Sequence, residues 1–257
     1  MICQDITGSA AIAGLASRAL RDELAAYPKP GLVSHVDNGS HPDMDAGCFL
    51  ASIEALEPFF EQLAAAGAEG CPLLGLQEIG IAAEEAMMAA TAGRNTHRGA
   101  IFSLGLLAAA AGRRARTNAG LRDIILSEWA GDLPAGLRGT AGALWEAKQG
   151  FPSVFQIGLP ALRRVGADSP GVCIQVFYEL LCHCGDTTLF KRGGEEGMRF
   201  ARLEAVGFLE AGGIHRDGWI AEAERIHRTF ISRNLTAGGV ADLLAATLFV
   251  HSLEEGE

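Results

Sequence analysis

The sequence predicts an all-α protein: one globular domain over 1–257, with about ten or eleven helices around a buried central helix. Three observations predict it. Apolar residues recur at three-to-four spacing nearly from end to end, and the alternating runs that mark strands are almost absent. The twelve residues 100–111 (AIFSLGLLAAAA) are apolar or small on every face, with Ser103 the one polar side chain. A helix apolar all round is a buried helix.

The elements follow in order. Ile12, Leu15, Ala16, Ala19, Leu20 and Leu24 mark a first helix, and Phe49, Ile53, Leu56, Phe60 and Leu63 a second. The same period predicts helices near 73–91, 97–112, 120–131, 140–149, 153–165, 171–184, 195–211, 217–233 and 239–254. Breaks fall at 28–42, 91–98, 112–120, 134–139, 150–152, 185–194 and 212–213. None has the length or composition of a domain linker, and no internal repeat is present. The breaks densest in polar residues and glycine, 28–45, 91–99 and 185–197, are expected to carry function.

Composition narrows the classes. The chain is 49% hydrophobic and 20% charged, which suits a folded domain with a sizeable core. Its 21 basic and 31 acidic residues give a formal net charge of −10. That argues against a nucleic-acid partner or an anionic membrane, but not against a phosphorylated small molecule held by local cations. The longest apolar run is too short for a membrane span, and the N-terminus has no basic region before an apolar block. Six scattered cysteines then read as reduced thiols in a cytoplasmic protein. Cys182-His183-Cys184 lacks the spacing of a zinc site and reads as core packing.

The central helix opens at Asn95-Thr96-His97-Arg98-Gly99. The first turn of a helix leaves amides unpaired and carries partial positive charge. With His97 and Arg98 the corner suits a phosphate, and Asn95 or Thr96 would cap the helix. In 28–45, Pro28, Pro30 and Gly31 stiffen the backbone around Lys29, which reads as a phosphate contact or as a solvated lysine in a turn. Asp43 and Asp45 precede the second helix as a cap or, with Asp37, His35 and His41, as Mg²⁺ ligands. Glu84 reads as a general base or metal ligand, or as an exposed residue of an amphipathic helix. In 185–194, Asp186 precedes Lys191, Arg192, Gly193 and Gly194, a phosphate cradle or an ordinary loop, and not a P-loop by spacing. Arg138 to Gly142, with 150–152, reads as close helix packing beside a surface cation.

Together, and in this order, these stretches resemble one family, the triphosphoribosyl-dephospho-CoA synthases. The resemblance rests on PKPGLVS (28–34), NGSHPDMD (38–45), Glu84-x-x-Met87 leading to ATAGRNTHRGAIFSLGLL (90–107), GFP (150–152), LPAL (159–162) and GDTTLFKRGG (185–194). It implies transfer of the triphosphoribosyl group of ATP to 3′-dephospho-CoA with release of adenine. The product would be a prosthetic-group precursor, passed to a holo-synthase that loads an acyl carrier subunit. Tyr27 and Ser34 look more like the malonate decarboxylase branch than the citrate lyase branch. Arg94 and Thr188 depart from the pattern without removing a charge.

Such a reaction builds positive charge on the ribose C1 carbon and needs a base for the attacking 2′-hydroxyl. The resemblance then implies a triphosphate held by Lys29, Asn95, Thr96, His97, Arg98, Gly99, Lys191, Arg192, Gly193 and Gly194. Asp43, Asp45, Glu84 and Asp186 would share catalysis and Mg²⁺ binding. A nucleotide N-glycosidase and a non-catalytic helical protein binding a nucleotide or an acyl carrier are the other classes. An oligomer is compatible with the sequence.

Overall fold

The computed structural model describes residues 8–134 and 142–256. They form eleven α-helices and no strand. Arg138 to Ala141, and with them part of the expected 140–149 helix, lie outside the described residues; the helix there runs Ala143–Lys148 (α6).

The frame is α1 (Ser9–Ala25), α2 (Ala46–Ala68), α3 (Leu73–Ala90), α4 (Arg98–Thr117) and α11 (Gly238–Glu255). The expected central helix is α4. Its residues Ala100, Ile101 and Ser103 through Gly112 are all buried, packed against α2, α11, α3 and α1. Small residues allow α2 and α4 to meet at the backbone. A Cβ on Gly67 would lie 2.0 Å from the Ala109 carbonyl oxygen, and one on Gly112 1.9 Å from that of Ala64. Leu104 and Leu107 of α4 are fully buried, and truncating either to alanine costs about 2–5 kcal/mol.

The remaining helices build the other wall. Short α5 (Leu121–Ile124) runs into a π-helical turn over Ile125–Trp129, and a second π turn, Ser153–Gly158, leads into α7 (Leu159–Val165). Then come α8 (Val172–His183), α9 (Thr187–Glu210) and α10 (Trp219–Ser232).

One expected break is corrected. The segment 185–197 is not a loop, because α9 begins at Thr187, directly after its cap Asp186. Lys191, Arg192 and Gly193 are therefore helical, and only Gly194 leaves helical geometry, at φ 59° and ψ −157°. The Asp186 cap starts the helix early, and Gly194 kinks it, so the part of α9 after the kink corresponds to the expected 195–211 helix. The chain also contains, among the described residues, no helix long and apolar enough to cross a membrane.

Candidate functional site

The N-terminus of α4 faces a polar cleft of two chambers. One, of about 160 Å³, is lined by Glu23, His41, Phe49, His97 and Thr236 among others. The second, of about 220 Å³, is lined by Ser103, Glu146, Gly185, Thr187 and Lys191. Asn95, Arg98, Gly99, Thr188 and Asp242 line both, so the chambers meet at the first turn of α4. Three of the five shared residues belong to the predicted corner.

The corner differs from its expected chemistry at one residue. The N-cap position of α4 is His97 and not Asn95 or Thr96 as expected, but Asn95 Oδ1 does accept from the Arg98 amide at 3.1 Å. Thr96 Oγ1 donates to Ser52 Oγ at 2.8 Å, and Ser52 Oγ lies 2.7 Å from His97 Nδ1. Ser52 has no other acceptor among the described residues, so its proton goes to Nδ1 and the ring hydrogen sits on Nε2. Nε2 is buried and has no partner among the described residues. Burial, with the nearby Lys29 charge, lowers the His97 pKa to about 3. His97 is thus a neutral donor with its tautomer fixed from behind, not the cation the sequence suggested.

A second orphaned atom lies further along α4. Ser103 is 1% exposed and its Oγ has no partner among the described residues. Each chamber therefore has one buried polar atom unpaired among the described residues, at the α4 cap His97 and at Ser103. An unpaired buried group of this kind costs about 1–3 kcal/mol, which a polar ligand would offset.

Between them sits Asp242, which the sequence reading missed. It rises from α11 against Gly99, where a Cβ would lie 2.0 Å from Asp242 Oδ2. No donor among the described residues meets its carboxylate. Burial raises its pKa well above the ordinary value, with further repulsion from Glu23 and Asp186. Its signal was present in the sequence: α11 buries ten side chains, and Asp242 is the lone charge in its apolar stretch before His251. A carboxylate in such a helix needs a reason.

The other predicted residues are dispersed. Lys29 is corrected from a presented cation to a buried one: it is 1% exposed and pairs with Glu23 Oε1 at 2.5 Å. It stands behind the cleft and reaches it through its charge. Asp45 caps α2 by accepting from the Cys48 amide at 2.8 Å, and neither Asp45 nor exposed Asp43 lines the chambers. Glu84 pairs with Arg98 on the outer side of the corner. Asp186 is buried and accepts from the Leu189 and Val240 amides at 2.7 and 2.9 Å, tying the starts of α9 and α11 together. Lys191 lines the second chamber. Arg192 donates to the Ser40 carbonyl at 2.8 Å and to Asn234 Oδ1 at 2.9 Å, a strap between loops. Gly193 is small because a Cβ would lie 2.5 Å from Leu235 Cδ2.

Two further histidines are neutral or fully engaged. His41 Nε2 lies 3.1 Å from Thr236 Oγ1, and burial together with Arg192 lowers its pKa to about 4. His227 holds the 28–45 loop: the Gly31 amide donates to Nδ1 at 3.1 Å, and Nε2 lies 3.0 Å from Asp37. Glu146, raised in pKa by burial, accepts from the Ser153 amide and hydroxyl. The expected Mg²⁺ set of Asp43, Asp45, Glu84 and Asp186 is not assembled. No group of three or more His, Cys, Asp or Glu among the described residues is placed to hold a metal. Cys182-His183-Cys184 likewise forms no such group; only Cys184 is buried as core packing requires, whereas Cys182 is half-buried and His183 exposed.

Comparison with known proteins adds a family. The CitG family model, ATP:dephospho-CoA triphosphoribosyl transferase, matches residues 9–133 and 131–257. The chain is 38% identical to a probable 2-(5''-triphosphoribosyl)-3'-dephosphocoenzyme-A synthase of Albidiferax ferrireducens, over 95% of this chain and 91% of that one. A protein of the same name in Pseudomonas fluorescens is 38% identical over 96% and 92% of the two chains. The 2-(5''-triphosphoribosyl)-3'-dephosphocoenzyme-A synthase of Pectobacterium atrosepticum is 38% identical over 91% and 86%. No solved structure matches.

Proposed function

From its membership of the ATP:dephospho-CoA triphosphoribosyl transferase family, to which the chain belongs, we propose that this protein transfers the 5-triphosphoribosyl group of ATP to the 2′-hydroxyl of 3′-dephospho-CoA and releases adenine. The observation that carries the reading is the placement of Asp242, a carboxylate unpaired among the described residues where two polar chambers meet, with one buried unpaired atom, of His97 or Ser103, in each.

Each part then has work. Two substrates need two chambers and one meeting point. The C1–N9 bond of ATP breaks and its electron pair leaves with adenine. The bond from O2′ to C1 forms, and the hydroxyl proton passes to a base. Asp242 faces the developing charge on C1 and takes that proton, and burial, which raises its pKa, makes it a stronger base than an exposed carboxylate. The His97 Nε2–H is a donor for the departing base. Asn95, Lys191 and the first-turn amide of Gly99, which has no acceptor within α4, grip the triphosphate. A neutral His97 beside them means that the grip is on fewer cations than the sequence suggested. Mg²⁺ would enter on the triphosphate, as part of the substrate.

The test is product analysis. Incubation with MgATP and 3′-dephospho-CoA should give adenine and the triphosphoribosylated acceptor in equal amounts by mass spectrometry. Adenine formed equally without the acceptor would replace transfer by hydrolysis, and no adenine in either case would leave only binding. We further propose service to malonate decarboxylase in the cytoplasm, on Tyr27 and Ser34. Transfer of the purified product, through its holo-synthase, to a malonate decarboxylase carrier in preference to a citrate lyase carrier would support that branch, and the reverse preference would overturn it.

A further inference from the structure

A third cavity adjoins the cleft and differs from it in chemistry. It is a groove of about 400 Å³ between α3 and α4, walled by Leu73, Leu76, Ile81, Ile101, Phe102 and Leu106. Arg98 stands at one end of it and also lines both polar chambers. Along α4 the groove runs from Arg98 to Leu106, eight residues or roughly 12 Å; along α3 it runs from Leu73 to Glu84, roughly 16 Å. Its rim is apolar where water would favour polar residues: Ile81 is 60% exposed and the neighbouring Leu74 68%. One neutral polar side chain, Gln77, interrupts the apolar wall.

We propose that this groove holds the pantetheine arm of the dephospho-CoA acceptor. The inference rests on the reaction proposed above and adds a subsite to it. Three surfaces occur in a fixed order: a polar cleft, a single guanidinium, and an apolar groove with one amide. The acceptor carries three groups in the same order: a ribose with its hydroxyl, a diphosphate, and an arm with a gem-dimethyl carbon and two amides. With the ribose at Asp242, the diphosphate meets Arg98 and the arm continues between α3 and α4. The arm spans about four residues' worth of extended chain, roughly 14 Å, which the groove accommodates. Arg98 is held by Glu84 in the structure and is more than half exposed, so the diphosphate competes with Glu84 for it. ATP has no such arm, so the groove distinguishes acceptor from donor.

Gly80 gives a clean test. It lines the groove from α3, and a Cβ there meets nothing within 4 Å. A side chain can therefore start there without strain, and Gly80→Phe is chosen to project its ring into the groove while replacing a poor helix former. Titration calorimetry with dephospho-CoA and with ADP, which shares the nucleotide and diphosphate but lacks the arm, separates the subsite from the reaction. The wild type should bind dephospho-CoA about tenfold or more tighter than ADP. Gly80→Phe should abolish that difference and leave ADP and ATP binding within twofold, while Gly80→Ala keeps it. Equal wild-type affinities for the two ligands, or an advantage that survives Gly80→Phe, would overturn the groove assignment. Adenine release is read separately, so a failure of the reaction and a failure of the subsite give different results.

Discussion

Asp186, buried, and Asp242, half-buried, are two carboxylates 56 positions apart in sequence and close enough in space to repel one another. Burial raises the pKa of both. Their surroundings differ. Asp186 spends its oxygens on backbone amides at the starts of two helices, whereas Asp242 spends its own on nothing among the described residues. The first is explained by the fold and the second is not. His227 and His97 repeat the contrast: both ring nitrogens of His227 have partners, and one of His97 has none. A buried polar group that the fold leaves unpaired is the better pointer to a ligand, because its cost is recovered only when the ligand binds.

The matched pair Asp242→Asn and Asp186→Asn tests this contrast most strongly. Asp242→Asn should lower kcat/KM about 10³-fold while raising thermal stability near neutral pH. The sign follows from the raised pKa: the folded state is penalised for holding the charge, and the amide removes that penalty. Thermal melts beside adenine-release kinetics would check it, and a Tm below wild type would break the comparison. Next in size, His97→Ala should lower kcat by about 10²-fold, as the loss of one preorganised donor does, with the fold kept by circular dichroism. Asp186→Asn should act on stability. It sets an amide NH₂ against one of the two backbone donors and should cost about 2 kcal/mol, or roughly 5 °C in Tm. Smaller again, Ser52→Ala frees the His97 tautomer and should lower kcat/KM by roughly two- to tenfold. Nitrogen chemical shifts of His97 should report the tautomer change, and an unchanged Nε2–H would break the relay.

Acid adds a fifth test. His97 and His41 are neutral in the folded protein down to about pH 3 and about pH 4, whereas in the unfolded chain they take a proton near 6.5. Their contribution is therefore complete above the unfolded value and is lost as pH falls toward the folded values. Stability should fall between about pH 6.5 and 4 by up to ~1.4 kcal/mol per pH unit for each histidine. Denaturant unfolding across that range, with His41→Asn as comparison, should show a shallower slope in the variant.

The sequence was most legible where one helix decides the outcome. The all-round apolar character of α4 and its start in the Asn95–Gly99 corner follow from residues in one short stretch. The corner also turned out to line the cleft, through Asn95, Thr96, His97, Arg98 and Gly99. What was not legible depends on distant partners. Lys29 looked presented because its proline-rich loop is stiff, yet that stiffness packs it against Glu23 on α1. Arg192 looked free until Ser40 and Asn234 were placed beside it. Asp186 could be named as polar, but the amide of Val240 that occupies it comes from another helix. Asp242 was overlooked because its surroundings read as plain core.

The contact between α2 and α4 has a mechanical consequence. Two carbonyl oxygens, of Ala64 and Ala109, fill the places where Gly112 and Gly67 would otherwise carry a methyl group. The two rods interlock at these points, which opposes sliding of α4 along its axis. Gly112 lies fourteen residues, or about 21 Å, from Arg98. A single methyl at Gly112 would push on the far end of a stiff lever and displace the business end without coming near it.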